Sequence, residues 1–137
     1  MLDATGDYTI IAFEIMGAAS GPYSMFVQDV ADPVGATQLT YGTSYAATMA
    51  QAAVDTYTFE AEANDSLVVK FTEIVVNTIN PHLRVYRPDG TLLCQGSSNS
   101  AVLTLSCVAN VTGSYTVLVA ETHRGGQGSY EMLITAQ

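Results

Sequence analysis

The stretches SYTVLVAE (residues 114–121) and SYEMLIT (residues 129–135) decide the fold of this chain. In both, apolar side chains alternate with polar ones, which is the pattern of a β-strand with one face in the core and the other in water. Thr116 and Glu131 fall on the faces that can meet water. The side chains predicted to face the core are Tyr115, Val117, Val119, Tyr130, Met132 and Ile134. The two stretches therefore predict a half-buried antiparallel hairpin.

Strand signals continue from these stretches along the whole chain, whereas helical signals are scarce. Short runs of Thr, Val, Ile and Tyr are separated by turns that contain glycine, and PDG at residues 88–90 predicts a tight turn between two strands. The alanine-rich residues 44–53 have no clear polar face and are predicted as a loop or an edge strand. The predicted strands are 8–15, 21–30, 55–61, 66–75, 83–87, 92–95, 102–108, 114–121 and 129–135. Nine strands in 137 residues indicate an all-β fold, an antiparallel β-sandwich.

The sequence contains an internal repeat with a constant spacing of 107 residues. Glu14 and Glu121 fit the same spacing without a gap. One spacing across two strands and their connecting loop is typical of tandem units. The matching segments are TGDYTII (5–11) with TGSYTVL (112–118), and SGPYSMF (20–26) with QGSYEML (127–133).

The repeat also predicts how the chain is divided. Residues 31–137 make one complete sandwich unit, residues 1–30 are the last hairpin of a preceding copy, and the linker falls at residues 31–35. The hairpin carries an apolar face that it could not keep dry in isolation. We expect this face to add to a sheet edge of the same chain or of another copy, and a reciprocal exchange between copies would give a homodimer.

Four motifs of the complete unit follow one another in an order known from one family of domains. They are VDTYTF (54–59), LRVYRPDG (83–90), TGSYTV (112–117) and GSY (128–130). In these motifs the unit resembles the pre-peptidase C-terminal domain family of secreted bacterial and archaeal proteins. The resemblance implies a β-sandwich with jelly-roll character that is attached to an exported enzyme or surface protein. Asn64 stands where the family usually has a turn glycine, and asparagine tolerates the positive φ such a turn requires.

The charge of the chain limits its partners. Thirteen acidic and four basic residues give a formal charge of −9, so a phosphate backbone or an anionic lipid surface would repel it. Nucleic acid is excluded on this ground, and no apolar run is long enough for membrane insertion. Protein and polysaccharide remain as partners. Residues 1–7 lack the basic region of a signal peptide, so the protein is cytosolic or a leader lies outside this chain.

Cys94 and Cys107 are the only cysteines of the chain. Both are predicted to face inward on their strands, and they are placed symmetrically about the midpoint of the polar tip 96–100 together with its flanks. A hairpin closed at that tip would bring them to disulfide range. The alternative is a pair of buried thiols in a reducing compartment. Two cysteines with no further ligands do not suit zinc.

No motif of the sequence points to catalysis. It has no GxSxG nucleophile elbow, no HExxH helix and no phosphate-binding glycine loop. His82 and His123 lie beside predicted turns, which favours solvated histidines over a catalytic base. We therefore expect a protein that is not an enzyme and has no catalytic or cofactor-binding residues.

Calcium is the one cofactor that the carboxylates leave open. Glu60, Glu62 and Asp65 cluster near one turn, and Asp29 and Asp32 lie near the linker. Calcium takes six or more oxygen ligands, and no single segment offers such a set. The acidic calcium-binding segment of some family members is also not recognisable in residues 31–53, so we expect calcium to have at most a modest effect. Glu14 and Glu121 lie where their strands end, and a side chain pointing to solvent is favoured over an inward one.

The tyrosines divide into two groups. Those at repeat positions (8, 23, 115 and 130) are predicted to anchor strands, whereas Tyr41 and Tyr45 remain for a binding surface. The sequence thus predicts a non-catalytic, secreted or cell-surface module, appended to an exported enzyme or surface protein, that aids binding, secretion or spacing. The alternative is a structural repeat unit of a cell-surface or adhesive protein, and the flanking sequence would distinguish the two.

Overall fold

The computed structural model describes residues 6–13, 20–21, 23–75, 78–123 and 125–136. Within these ranges the chain forms strands and no helix, so none of the described residues belongs to a helix that could cross a membrane. The strands are β1 (Thr37–Gln38), β2 (Tyr45–Met49), β3 (Val54–Ala61), β4 (Ser66–Glu73), β5 (Pro81–Tyr86), β6 (Leu92–Ser97), β7 (Val102–Val108), β8 (Gly113–Glu121) and β9 (Gly128–Ala136).

These strands form two sheets around one core. The larger sheet has the order β1-β3-β8-β5-β6 and the smaller sheet the order β2-β9-β4-β7. β1 is parallel to β3, and the other described strand pairs are antiparallel. The two sheets confirm the predicted all-β sandwich. Residues 44–53, predicted as a loop or an edge strand, contain β2, which is an edge strand of the smaller sheet.

The predicted hairpin of the last two strands is wrong, although its core face is right. β8 is central in the larger sheet and β9 is central in the smaller one, so the chain changes sheets between Glu121 and Gly128. The six side chains predicted to face the core are all buried. Thr116, predicted to meet water, is only 2% exposed, since Thr58 and Tyr86 flank it in register on the neighbouring strands.

Aromatic pairs fill the space between the sheets. Phe59 and Tyr115 stack with their ring centroids 5.5 Å apart, and Phe71 and Tyr130 stack at 4.8 Å. All four side chains are at most 1% exposed. Such pairs contribute about 0.5–1.5 kcal/mol each beyond the area they bury. The core is therefore anchored by rings from both sheets.

The PDG motif forms the predicted turn between β5 and β6. Gly90 adopts φ of 80°, and the amide of Arg87 donates to the carbonyl of Thr91 at 2.8 Å. The carboxylate of Asp89 accepts the Thr91 amide at 2.9 Å. Asn64 likewise adopts a positive φ of 78°, as its place in a turn predicted.

A disulfide between Cys94 and Cys107 joins the edges of the two sheets, with 6.4 Å between the Cα atoms. The hairpin from which the pairing was predicted does not form. β6 pairs with β5 and β7 pairs with β4, so residues 98–101 cross from one sheet to the other instead of closing a two-stranded ribbon. The disulfide therefore closes one flank of the sandwich.

The predicted N-terminal strands 8–15 and 21–30 are not strands where the structure describes them. Residues 8–13, 21 and 23–30 lie outside both sheets. The physical reason is that β8 and β9, which share their sequence pattern, already fill the central positions of the sheets. Glu14, Ile15 and Pro22 lie outside the described residues.

Candidate functional site

The flank opposite the disulfide is open and contains a cleft of about 360 Å³. Here β1 and β3, at one side of the larger sheet, face the edge strand β2 of the smaller sheet. Residues of the segment before β1 complete the wall. The side chains that characterise the cleft are Phe26, Thr37, Tyr45, Thr48, Asp55 and Tyr57.

A chain of hydrogen bonds links the floor of the cleft to the core. The hydroxyl of Tyr130 donates to the Asp55 carboxylate at 2.5 Å, and the hydroxyls of Tyr57 and Tyr130 are 2.6 Å apart. Because Tyr130 has one proton and gives it to Asp55, Tyr57 donates to Tyr130. The carboxylate of Asp55 is thereby fixed at the cleft by a residue of the opposite sheet.

The phenols of Tyr57 and Tyr130 have raised pKa values and stay protonated at neutral pH. Burial raises the pKa of Tyr57 to about 12, and the negative charge of Asp55 adds to the rise. The pKa of Tyr130 is also raised, chiefly by burial and then by the hydrogen bond that it donates to Asp55. Both hydroxyls therefore remain donors at neutral pH, and neither can serve as a base.

Tyr45 stands at the mouth of the cleft. Its side chain is 40% exposed, and its ring meets that of Tyr57 edge to face with 5.8 Å between the centroids. Tyr41, the other tyrosine predicted for a surface, is 37% exposed but does not line the cleft. Its ring lies against Phe59 at 6.3 Å. Of the two predicted surface tyrosines, Tyr45 is thus the one positioned to touch a ligand.

Glu121 lies at the far end of β8, away from the cleft lining. The favoured prediction that it points to solvent is wrong, because its side chain is 1% exposed. The residues after β8 fold back over it, so that Asn80 Nδ2 donates to it at 3.2 Å and the Gly125 amide at 3.1 Å. Burial by itself raises the pKa of Glu121, but backbone and side-chain hydrogen bonds, first that of His123, bring it below its ordinary value. The carboxylate is a structural cap for this loop.

Two of the five carboxylates considered for calcium accept amides of their own turns. Asp65 accepts the Glu62 amide at 2.9 Å, and Asp29 accepts an amide two residues further on at 2.9 Å. Among the residues that the structure describes, no three His, Cys, Asp or Glu side chains come together as a metal site. Neither Glu60 nor Asp32 lines the cleft.

The two histidines differ in their surroundings. His123 is a loop residue with a side chain 66% exposed, and its Nδ1 lies 2.9 Å from Thr122 Oγ1. His82 was predicted beside a turn, but β5 already begins at Pro81, so His82 is a half-buried strand residue. Neither histidine lines the cleft.

Sequence reasoning missed the group of Asp55, Tyr57 and Tyr130. A signal for it exists in VDTYTF, where Asp55 has the same inward parity as Tyr57 and Phe59. A carboxylate that faces a core needs a donor, so this parity predicts a buried partner. Glu73 was also missed: it is 5% exposed and accepts the amides of Thr78 and Ile79, so it orders the loop after β4.

Several solved structures share this fold. The pre-peptidase C-terminal domain of collagenase from Bacillus anthracis aligns with a TM-score of 0.58 and 16% identity, over 76% of this chain and 98% of that domain. PliG of Aeromonas hydrophila, a periplasmic inhibitor of g-type lysozyme, aligns with a TM-score of 0.56 and 14% identity over 74% of this chain and 96% of PliG. PliG of Salmonella Typhimurium aligns with a TM-score of 0.54 and 16% identity, over 76% of this chain and 100% of that PliG chain. Among curated proteins none matches this chain.

The two sheets, the closed flank and the open cleft define a small all-β sandwich module. The family model of the bacterial pre-peptidase C-terminal domain matches residues 53–121. The chain belongs to this family. Its domains are non-catalytic modules that occur in secreted proteins.

Proposed function

We propose that this chain is a non-catalytic binding module of an exported protein and that the open-flank cleft is its ligand site. The observation that carries the proposal is that the exposed Tyr45 side chain lines the same cleft as the fixed Asp55 carboxylate. An aromatic face beside a preorganised acceptor suits the capture of a neutral polymer, either a polysaccharide or a polypeptide. The formal charge of −9 favours a partner that is not an anion.

Binding to insoluble polymers tests this function. The chain is incubated with cellulose, chitin and gelatin, and the bound fraction is measured against concentration. Tyr45→Ala is expected to weaken binding roughly tenfold, because losing a central aromatic contact costs more than about 1 kcal/mol. Tyr41→Ala is the matched control, since Tyr41 is 37% exposed but lies outside the cleft. Equal losses in both variants, or no binding to any of the three polymers, contradict the proposed site.

We also propose that the module works outside the cytoplasm, either secreted or at the cell surface. Two observations support this location. A disulfide between Cys94 and Cys107 persists in oxidising compartments. The PliG proteins that share the fold are periplasmic. Expression with and without export, followed by thiol alkylation, checks it: the exported protein is expected to have no reactive thiol.

A second candidate function is that of a structural repeat unit in a surface or adhesive protein. The repeat with its spacing of 107 residues favours it. Sequencing the flanking gene distinguishes the candidates, because an enzyme domain supports the appended module and further copies at the same spacing support the repeat unit.

A further inference from the structure

The described residues of the segment 6–30, which are 6–13, 20–21 and 23–30, repeat the sequence pattern of β8 and β9 in an exposed setting. Tyr8 and Ile10 match Tyr115 and Val117 in the repeat, and Tyr23, Met25 and Val27 match Tyr130, Met132 and Ile134. The five side chains in β8 and β9 are 0% exposed, whereas each of the five counterparts is at least 50% exposed. The same sequence is therefore core in one place and surface in the other.

Three of the polar side chains that are identical in the two places have specific hydrogen-bond partners in the complete sandwich. The hydroxyl of Tyr115 donates to the carbonyl of Val111 at 2.7 Å, and that of Tyr130 donates to Asp55. Glu121, the counterpart of Glu14 in the sequence, is bonded to loop amides. A segment that only covered an apolar patch would have no need of these polar groups at these spacings. Residues 6–30 thus have the chemistry to complete a sandwich.

We propose that residues 6–30 are the two central strands of a second sandwich of the same family. One strand enters between the equivalents of β3 and β5, and the other between the equivalents of β2 and β4. The partner is a unit that lacks its own copies of β8 and β9 and carries an aspartate at the position of Asp55 to receive the Tyr23 hydroxyl. A second whole copy of this chain offers no such vacancy, because its β8 and β9 already hold those positions.

The connection to the complete unit supports this arrangement. The segment passes into β1 through residues 31–36, and the Cβ that Gly90 lacks would lie 3.5 Å from Ala31 and 3.6 Å from Val30. The end of the segment is thus packed on the complete unit. A connection this short places the two sandwiches side by side, next to the cleft wall that residues 26–35 help to form.

The test extends the whole chain at its N-terminus with a copy of residues 31–107, which restores the repeat spacing. This copy supplies the strands next to which residues 6–30 would insert, namely the equivalents of β2, β3, β4 and β5. Hydrogen exchange of residues 8–13 is measured in the extended and the original chain. We expect exchange to slow by roughly a thousandfold in the extended chain, since core strands open only in near-global unfolding. A second chain, extended at its N-terminus by a copy of residues 31–137, is the reference. It shows whether a complete unit folds when it is placed before residue 1.

Two variants separate strand insertion from nonspecific packing. Tyr23→Ala is expected to abolish the protection in the extended chain and to leave the melting curve of the original chain unchanged. Ser24→Ala, whose counterpart Glu131 is exposed, is the matched control and should retain the protection. The proposal is overturned if residues 8–13 stay unprotected while the reference chain folds. It is equally overturned if hydrogen exchange shows these residues already protected in the original chain and light scattering shows that this chain is a homodimer.

Discussion

Removing the Tyr130 hydroxyl tests the hydrogen-bond chain beneath the cleft. Tyr130→Phe deletes the donor to Asp55 and the acceptor of Tyr57 while keeping the ring that stacks on Phe71. A bond to a charged group contributes about 1.5–3 kcal/mol and a neutral one about 0.5–1.5, so the free energy of unfolding should fall by roughly 2–4 kcal/mol. Tyr57→Phe removes only the neutral bond and should cost about 0.5–1.5 kcal/mol.

Urea unfolding followed by far-UV circular dichroism measures both variants, with the slope m expected to stay constant. The double variant should be no less stable than Tyr130→Phe alone, because the single change leaves the Tyr57 hydroxyl buried without its acceptor. The reasoning fails if Tyr57→Phe costs as much as Tyr130→Phe, since the proton order from Tyr57 to Tyr130 to Asp55 would then be incorrect.

Four further changes probe the rest of the molecule. Replacing Cys94 and Cys107 by alanine should cost about 3 kcal/mol and lower Tm by roughly 10–20 °C in a calorimeter. The pKa of Tyr57 rises from 10.0 to about 12 on folding, so the stability that this group contributes is fully present below pH 10 and is lost as the pH rises to 12. Tyr57→Phe should therefore reduce the fall of the unfolding free energy between pH 10 and 12 by about 1.4 kcal/mol per pH unit, measured by urea unfolding at each pH. The pKa of Glu121 is lowered, so Glu121→Gln should weaken the loss of stability as pH falls below 4.5. Gly126→Ala would place a Cβ 2.6 Å from a backbone oxygen and should cost about 1–3 kcal/mol, unlike Gly125→Ala, which meets open space.

The candidate site was only partly predictable. Tyr45 could be assigned to a surface because it has no counterpart in the repeat and so no predicted place in the core. Asp55 and Tyr57 could not be connected to Tyr130, which is 75 residues from Asp55 along the chain and in the other sheet. Contacts across a sandwich depend on which sheet each strand joins, and alternation within a strand does not contain that information.

The sequence by itself determined where β3 to β9 lie and which face of β8 and β9 is buried, because alternation and turn residues act locally. It did not predict β1, and it left β2 as a loop or an edge strand. It also determined that residues 6–30 repeat the sequence pattern of those two strands, β8 and β9. Only the tertiary structure decided that β8 and β9 lie in opposite sheets and that Cys94 and Cys107 join two sheet edges. The burial of the Glu121 side chain was also decided by the tertiary structure. The physical reason is that a buried strand face has the same pattern in either sheet, so the choice of sheet and of polar partners is made by packing between segments that are distant in sequence.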